Sequence, residues 1–378
     1  MIQSTVGSVS DIARIKLRAI SDDMNKNHIA RQNEINGLML ALCAREHILF
    51  LGPPGSAKTS MVTDFNSYIE KSRYFYWLMG QFTTPEEIFG PVDIAGMKTG
   101  IYRRVVNGKL PEANIGFLDE PFKASTAILN SLLHIMQERE FENDGTTIEV
   151  PLSFIVGASN ELPAEGENLS AIYDRFVLRF MVRYLTDSSD FSQLLNLPNE
   201  IKHSAGNISI EDVVAIQTAT SSIVISKTAE ESIQLLWQTC NNEKLAISDR
   251  RWRKLIKIMK ADAFIKNQIE LLPDNLVVAK HMLWDTPEQI QKINSLVNAC
   301  IDPDASKAEE ISSAVDSLIS EFNSRRKVMS AGEKAGMIDQ IRELGTHLNS
   351  LKKSPTIDRV NIRLQQAVGL LKKSIIDD

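Results

Sequence analysis

The stretch Gly52-Pro53-Pro54-Gly55-Ser56-Ala57-Lys58-Thr59-Ser60 constrains this 378-residue chain more than any other. It follows the apolar run His47-Ile-Leu-Phe-Leu51 and precedes a helix-compatible segment, Met61 to Glu70. An apolar run stopped by glycine and proline suits a strand covered on both faces. Strand, glycine-rich loop and helix in that order make a phosphate-binding loop, where backbone N–H groups and a helix N-terminus surround an anion. Lys58 then brings charge to the β- and γ-phosphates, and the Thr59 hydroxyl can ligate Mg2+. Ala57 stands where glycine is usual, and its small methyl is expected to fit at a negative φ. The plain alternative is a chance Gly/Pro turn, and the downstream residues weigh against it.

Ile115-Gly-Phe-Leu-Asp119-Glu120 is a second apolar run, ending in two acids. At the C-terminal edge of a parallel sheet, Asp119 would hold Mg2+ through water and Glu120 would polarise the attacking water. On their own, two acids ending a strand could be merely solvated. A third run, Phe154-Ile-Val-Gly-Ala-Ser, leads to Asn160, which can orient that water or serve as a turn or helix cap. Arg175, in Tyr-Asp-Arg-Phe, could stabilise the charge of the transferring phosphoryl group, or could only pair with Asp174. Arg250, in Ser-Asp-Arg-Arg-Trp, could reach the γ-phosphate from a following domain or be an ordinary helix-start arginine, with Arg251 an equal rival by position.

The apolar runs, joined by a fourth at Tyr74 to Met79, alternate with helical-length segments, which predicts an α/β doubly wound parallel sheet. Residues 1–45 read as helical. Two hairpin-like interruptions are expected: 94–106, with Thr99-Gly100 as turn, and 140–150, with Asn143-Asp144-Gly145. From about Thr186 the chain becomes polar and helical. Beyond Ile301, three apolar sets step at helical spacing: Ile311, Val315, Leu318, Phe322; Met337, Ile341, Leu344, Leu348; and Leu364, Val368, Leu371, Ile375. Residues 305–376 therefore read as three amphipathic helices, packed on the protein itself or serving as a docking arm.

Taken together, LGPPGSAKT, TTPEEIFGP, GKLPEANIGFLDEPFKASTAILNSLL, QEREF, ASNELP, YDRF and ISDRRW resemble the MoxR branch of AAA+ ATPases, its RavA-like subgroup above all. The resemblance covers roughly residues 28–285. It implies an α/β nucleotide domain over 1–186 and an all-α lid over 187–296, leaving 297–378 as a helical extension. Lys58 and Thr59 would be Walker A, Asp119 and Glu120 Walker B, and Asn160 sensor 1. Arg175 would be a finger acting on the neighbouring subunit and Arg250 a sensor 2 acting in cis, with His28 and Ile29 near the adenine. The resemblance further implies a hexameric ring whose 94–106 and 140–150 inserts face the pore. The ring would hydrolyse ATP with Mg2+ and remodel a protein substrate beside a separate von Willebrand factor A-domain partner.

Composition narrows the class. With 43% hydrophobic residues the chain can bury a substantial core, and at roughly 100–200 residues per domain two or three domains are expected. A net charge of −6 argues against sequence-independent binding to nucleic-acid phosphates. Lys98, Arg103 and Arg104 hint at a nucleic-acid motor, but Glu140, Glu142, Asp144 and Glu149 on the second insert would repel phosphate. A slowly hydrolysing, nucleotide-gated scaffold is the other competing class. Cys43, Cys240 and Cys300 lie far apart and suit reduced packing residues in a cytoplasmic protein. The first residues hold no apolar core of signal-peptide length, so no secretory signal is expected there, and no apolar run of membrane length occurs in the sequence. Trp237, Trp252 and Trp284 are expected in the core.

Overall fold

The computed structural model describes residues 2–163, 167–198, 203–325, 329–351 and 355–376. It resolves into two compact units, one of Met1–Glu230 with Leu245–Ile290, the other of Glu231–Lys244 with Gln291–Asp378.

The first unit is built on β1 (His47–Leu51), β2 (Tyr74–Leu78), β3 (Ile115–Asp119), β4 (Glu140–Asn143), β5 (Thr146–Glu149), β6 (Phe154–Ser159) and β7 (Phe176–Met181). Five of these form one parallel sheet in the order β2-β3-β6-β1-β7. β1 and β6 are buried at every position, which is what continuous apolar runs require when helices cover both faces. The helix Gln32–Ala44 packs on β1 and β7 and buries Leu38, Leu40, Ala41 and Leu42. Because β1 sits between β6 and β7, the loops that follow β1, β3 and β6 emerge side by side at the C-terminal edge. That edge is where open α/β sheets bind ligands.

The four apolar runs became four of the five sheet strands. The fifth, β7, was not anticipated: Arg179 interrupts Phe176-Val-Leu-Arg-Phe-Met181, and no turn residue separates it from the preceding helix. Arg179 is nonetheless wholly buried, donating to the carbonyls of Phe176, Tyr173 and Trp284 and pairing with Asp285 at 3.0 Å.

β4 and β5 form the expected hairpin, turned by Asp144 and Gly145, both at positive φ (57° and 68°) as a tight two-residue turn requires. The 94–106 insert differs from expectation. Asp93 accepts from the Ala95 and Gly96 amides and starts a short helix, Ile94–Met97, and only a single bridge, Val92 to Arg104, links its two arms. A side chain that caps its own following turn outcompetes strand pairing over so short a span. The two inserts are tied together: Tyr102 N–H donates to Asp144 (3.0 Å), Arg104 N–H to Asn143 (2.7 Å), and the Asn143 amide back to the Arg104 carbonyl (3.1 Å).

In the second unit the three expected helices are present as Pro303–Arg325, Ala331–Asn349 and Pro355–Ile376. Val315, Phe322, Met337, Ile341, Leu348, Leu364 and Leu371 are buried together, with Ile311, Leu318, Leu344 and Val368 packed against them. The Ile375 side chain lies outside the described residues. Ser330 and Glu333 close a capping box on the middle helix. Trp284 is buried as expected, but Trp237 is 48% exposed. Helical spacing alone does not say which face is covered. All three cysteines are buried and free.

Candidate nucleotide site

The loop leaving β1 is shaped by two backbone constraints. A Cβ on Gly52 would stand 2.0 Å from the Val182 carbonyl oxygen, so only glycine lets the loop run against the end of β7. Ala57 adopts φ 69° and ψ 18°, the left-handed conformation, and not the negative φ expected of it. The turn from loop into helix fixes that angle whatever residue occupies it. For a residue with a Cβ the left-handed well costs about 1–2 kcal/mol.

The helix Lys58–Ser67 begins at the loop lysine, and a cleft of about 550 Å³ opens over it. Pro54, Gly55, Ser56, Ala57, Lys58, Thr59 and Ser60 line one side, Asp119, Glu120, Lys123 and Asn160 the other. The Lys58 ammonium donates to the carbonyls of Gly52 (2.6 Å) and Pro53 (2.9 Å) and to Asn160 Oδ1 (3.2 Å). Burial lowers the Lys58 pKa, and the nearby Asp119 and Glu120 oppose that shift. Asp119 is raised, by burial first and by Glu120 second, with Lys58 opposing. Two carboxylates, Asp119 and Glu120, and two ammoniums, Lys58 and Lys123, thus face one half-buried cleft.

Glu120 is held in the left-handed region (φ 54°), a costly angle of the kind that clusters at functional sites. Its amide donates to the Ala158 carbonyl (2.6 Å). Its carboxylate accepts from Ser159 Oγ (3.2 Å) and the Asn160 amide (3.3 Å), with Lys123 Nζ at 3.4 Å. Lys58, Asp119, Glu120 and Asn160, from three separate strand ends, are thereby brought to one cleft. Thr59 and Asp119, the pair expected to hold Mg2+, both line this cleft. Among the described residues no group of three or more His, Cys, Asp and Glu is arranged to hold a metal, so phosphate oxygens would have to complete the shell.

His28 is buried and bonded to Asp64 on the loop helix (2.7 Å), while Ile29 is half-buried; neither lines the cleft. Two contacts to the loop escaped the sequence reading. Arg31 donates to the carbonyls of Ser56 (3.3 Å) and Arg183 (2.8 Å), and the Tyr184 hydroxyl to that of Pro54 (2.8 Å). An isolated arginine or tyrosine far along the chain carries no local signal.

Arg175 and Arg250 are elsewhere. Arg175 immediately precedes β7, at the N-terminal edge of the sheet, whereas the cleft lies at the C-terminal edge. A strand of five or six residues separates those edges by roughly 16–20 Å. Both arginines line a different pocket of about 240 Å³, where Arg45, Arg139, Lys254 and Lys257 add to the positive charge and Glu46 is the one carboxylate. Arg175 donates to Gln137 (2.6 Å), and its Nε has no partner. Burial, then the proximity of Arg250, lowers its pKa. The expectation that Arg250 reaches its own subunit's γ-phosphate fails on this placement, since its helix, Asp249–Ile265, starts beside Asp174 and Arg175. Arg251 is not its equal. It is 5% exposed and bonded to Asp174 (3.0 Å) and Asp285, whereas the Arg250 side chain is 40% exposed. Burial raises the Asp285 pKa, but Arg251 and Arg179 more than offset this and hold its carboxyl below its usual range.

Residues 15–218 match the family described as the MoxR domain in the MoxR-vWA-beta-propeller ternary systems, and residues 228–297 match an AAA lid domain. An uncharacterized protein of Methanocaldococcus jannaschii, MJ0812, is 35% identical over 312 residues, covering 82% of this chain and 83% of that one. Chaperone MoxR1 of Mycobacterium tuberculosis is 26% identical over 231 residues, 58% of this chain and 59% of its own. The crystal structure of an ATPase candidate from Cytophaga hutchinsonii superposes with a TM-score of 0.63 at 22% identity, covering 79% of this chain and 98% of that one, which speaks for the fold. With one family model over residues 15–218, a lid model over 228–297 and a relative 35% identical over most of both chains, the chain belongs to the MoxR family of AAA+ ATPases.

Proposed function

We propose that this chain hydrolyses ATP with Mg2+ at a site completed by a second copy, within a ring, and uses the cycle to remodel a protein partner. The observation that carries this is the separation of Lys58, Asp119, Glu120 and Asn160 from Arg175 and Arg250 on opposite edges of one sheet. An arginine at the N-terminal edge cannot act on the nucleotide of its own cleft. A neighbour's nucleotide can meet it in a head-to-tail arrangement, which closes into a ring when the rotation allows, here six-membered by family resemblance.

In the cleft, Lys58 exchanges its loop carbonyls for phosphate oxygens, and Thr59 and Asp119 would hold the cation, whose charge would offset that developing on the phosphates. Glu120, oriented by Ser159 and the Asn160 amide, accepts the proton of the attacking water. Asn160 aligns that water, and the neighbour's Arg175 and Arg250 supply charge at the transferring group. Arg250 thus acts in trans, while Arg251 anchors its helix. The 28–31 segment, braced on the loop by Arg31, supports a place for His28 and Ile29 beside the base.

For remodelling, the joined inserts offer Ile94 (74% exposed), Met97, Ile101 and Tyr102 as an apolar surface beside Glu140, Glu142 and Asp144. That suits a polypeptide better than a nucleic acid. Chaperone MoxR1 supports the same reading. The matched family description supports a separate von Willebrand factor A-domain partner and a β-propeller protein, and the quoted motifs support a RavA-like placement. Among the described residues no helix is long and apolar enough to cross a membrane, and a cytoplasmic location fits the family.

The test is the specific ATPase rate against protein concentration. A rate that rises with concentration and is abolished in Glu120→Gln supports a shared hydrolytic site. A concentration-independent rate far below about 0.01 per second favours a nucleotide-gated scaffold instead.

A further inference from the structure

A second and larger cavity, about 650 Å³, opens at the N-terminal edge of the sheet, beside the residues that lead into β1, β3 and β6. That volume lies within the range of small-molecule sites, about 300–1,000 Å³. Its floor is apolar, made by Cys43, Ala44, Val213 and Ile256, of which the first three are buried. Thr220 also lines it; this residue is 3% exposed, and its hydroxyl has no hydrogen-bond partner within the protein.

The rim is cationic. Arg45, Lys257 and Lys260 stand there against one carboxylate, Glu149. Arg45 donates to the Leu152 carbonyl (3.2 Å) and Lys260 to the Ser221 carbonyl (2.9 Å). Among the described residues neither is paired with an acid. Ser221 follows Thr220 directly, so the unpartnered hydroxyl and the Lys260 ammonium belong to one end of the cavity.

We propose that this cavity binds an amphipathic carboxylate, a small molecule with an apolar body and a single acid group at one end. The body covers the floor, and the acid accepts from Lys260 at the rim. Charge-assisted hydrogen bonds of this kind are about twice as strong as neutral ones. A neutral alcohol would leave the cations unmatched, and an ammonium would be repelled.

The cavity also adjoins the arginine pocket. Arg45 and Lys257 line both, and Glu46 pairs with Lys257 (3.0 Å) and Lys254 (2.7 Å). An acid at Lys260 adds a negative charge one helical turn from Lys257 and so changes the field around Arg175 and Arg250, and occupancy thereby modulates hydrolysis. This coupling rests on the trans-acting reading of Arg175; the binding does not.

Calorimetric titration of the full chain with decanoate tests the binding, with decylammonium and decanol as controls. Decanoate is expected to bind one per chain, decylammonium and decanol at least tenfold more weakly. Lys260→Glu should weaken decanoate at least tenfold, and Thr218→Trp, at an exposed position on the cavity wall, should abolish binding, with unchanged circular dichroism establishing that both variants fold. Equal affinity for acid and ammonium, or decanoate binding untouched by both variants, would overturn the site. Saturating decanoate should change the wild-type ATPase rate at least twofold and leave that of Lys260→Glu unmoved. Binding without any rate change keeps the site and refutes the coupling.

Discussion

Mixing two inactive variants gives the sharpest test of the divided site. Glu120→Gln keeps Arg175 but loses its own base; Arg175→Ala keeps its base but offers its neighbour no finger. The two groups sit on opposite edges of the sheet, roughly 16–20 Å apart along the strands, so a working site must combine one chain's cleft with the next chain's arginine pocket. In an equimolar, randomly assembled mixture, half the clefts are intact and half of those meet an intact arginine. About a quarter of the wild-type rate should therefore return, from parents each lowered by about 10³-fold or more, the usual worth of such an arginine. The assay is steady-state phosphate release after the two proteins are combined and allowed to exchange, against each alone at the same total concentration. Arg250→Ala should complement Glu120→Gln in the same way and fail to complement Arg175→Ala, because both arginines belong to one pocket. A mixture no more active than the average of its parents would refute the trans assignment, provided light scattering shows mixed assemblies.

The neighbouring arginines should separate cleanly. Arg251→Leu removes the buried guanidinium that joins Asp174 to Asp285, leaving them Arg250 and Arg179, and should cost about 1–3 kcal/mol in urea unfolding, whereas Arg250→Leu, at a side chain 40% exposed, should fall within about 0.5 kcal/mol of wild type. Ala57→Gly relieves a left-handed alanine worth about 1–2 kcal/mol and adds about 0.5–1 kcal/mol of unfolded-state entropy, so a net gain of up to about 1.5 kcal/mol is expected by denaturant titration; a loss would show the strain is not there. His281, partly buried and stacked on Phe180 with ring centroids 4.3 Å apart, has its pKa pushed down to about 4, by desolvation first and Lys280 second. The unfolded chain takes up this proton near pH 6.5 and the folded chain only near 4. Stability is therefore complete above pH 6.5 and falls by about 3 kcal/mol as pH drops to 4. His281→Phe should flatten that part of the pH–stability curve, and an unchanged slope would put the acid sensitivity elsewhere.

Much of the site was legible because its residues are local and ordered by strand ends. Gly52 to Ser60, Asp119, Glu120 and Asn160 each directly follow an apolar run, and a parallel sheet with β1 in its interior brings such ends together without further instruction. Arg31 and Tyr184 brace the loop from distant positions and left no trace in any pattern. β7 was hidden by Arg179, since an arginine in an apolar run reads as exposed until its carbonyl partners and Asp285 are seen.

By itself, then, the order of apolar runs and loop residues determined the α/β sheet, the phosphate loop with its acids and the three C-terminal helices, because strand burial, anion binding and helical amphipathicity are written at spacings of a few residues. Tertiary structure alone decided the rest. It gave Ala57 its left-handed backbone, made Arg251 the buried anchor and Arg250 the exposed partner of Arg175, and set those arginines on the edge away from the cleft. Which face of a helix is covered, and which end of a strand meets another, depends on contacts between residues far apart in the chain, and no local period encodes them.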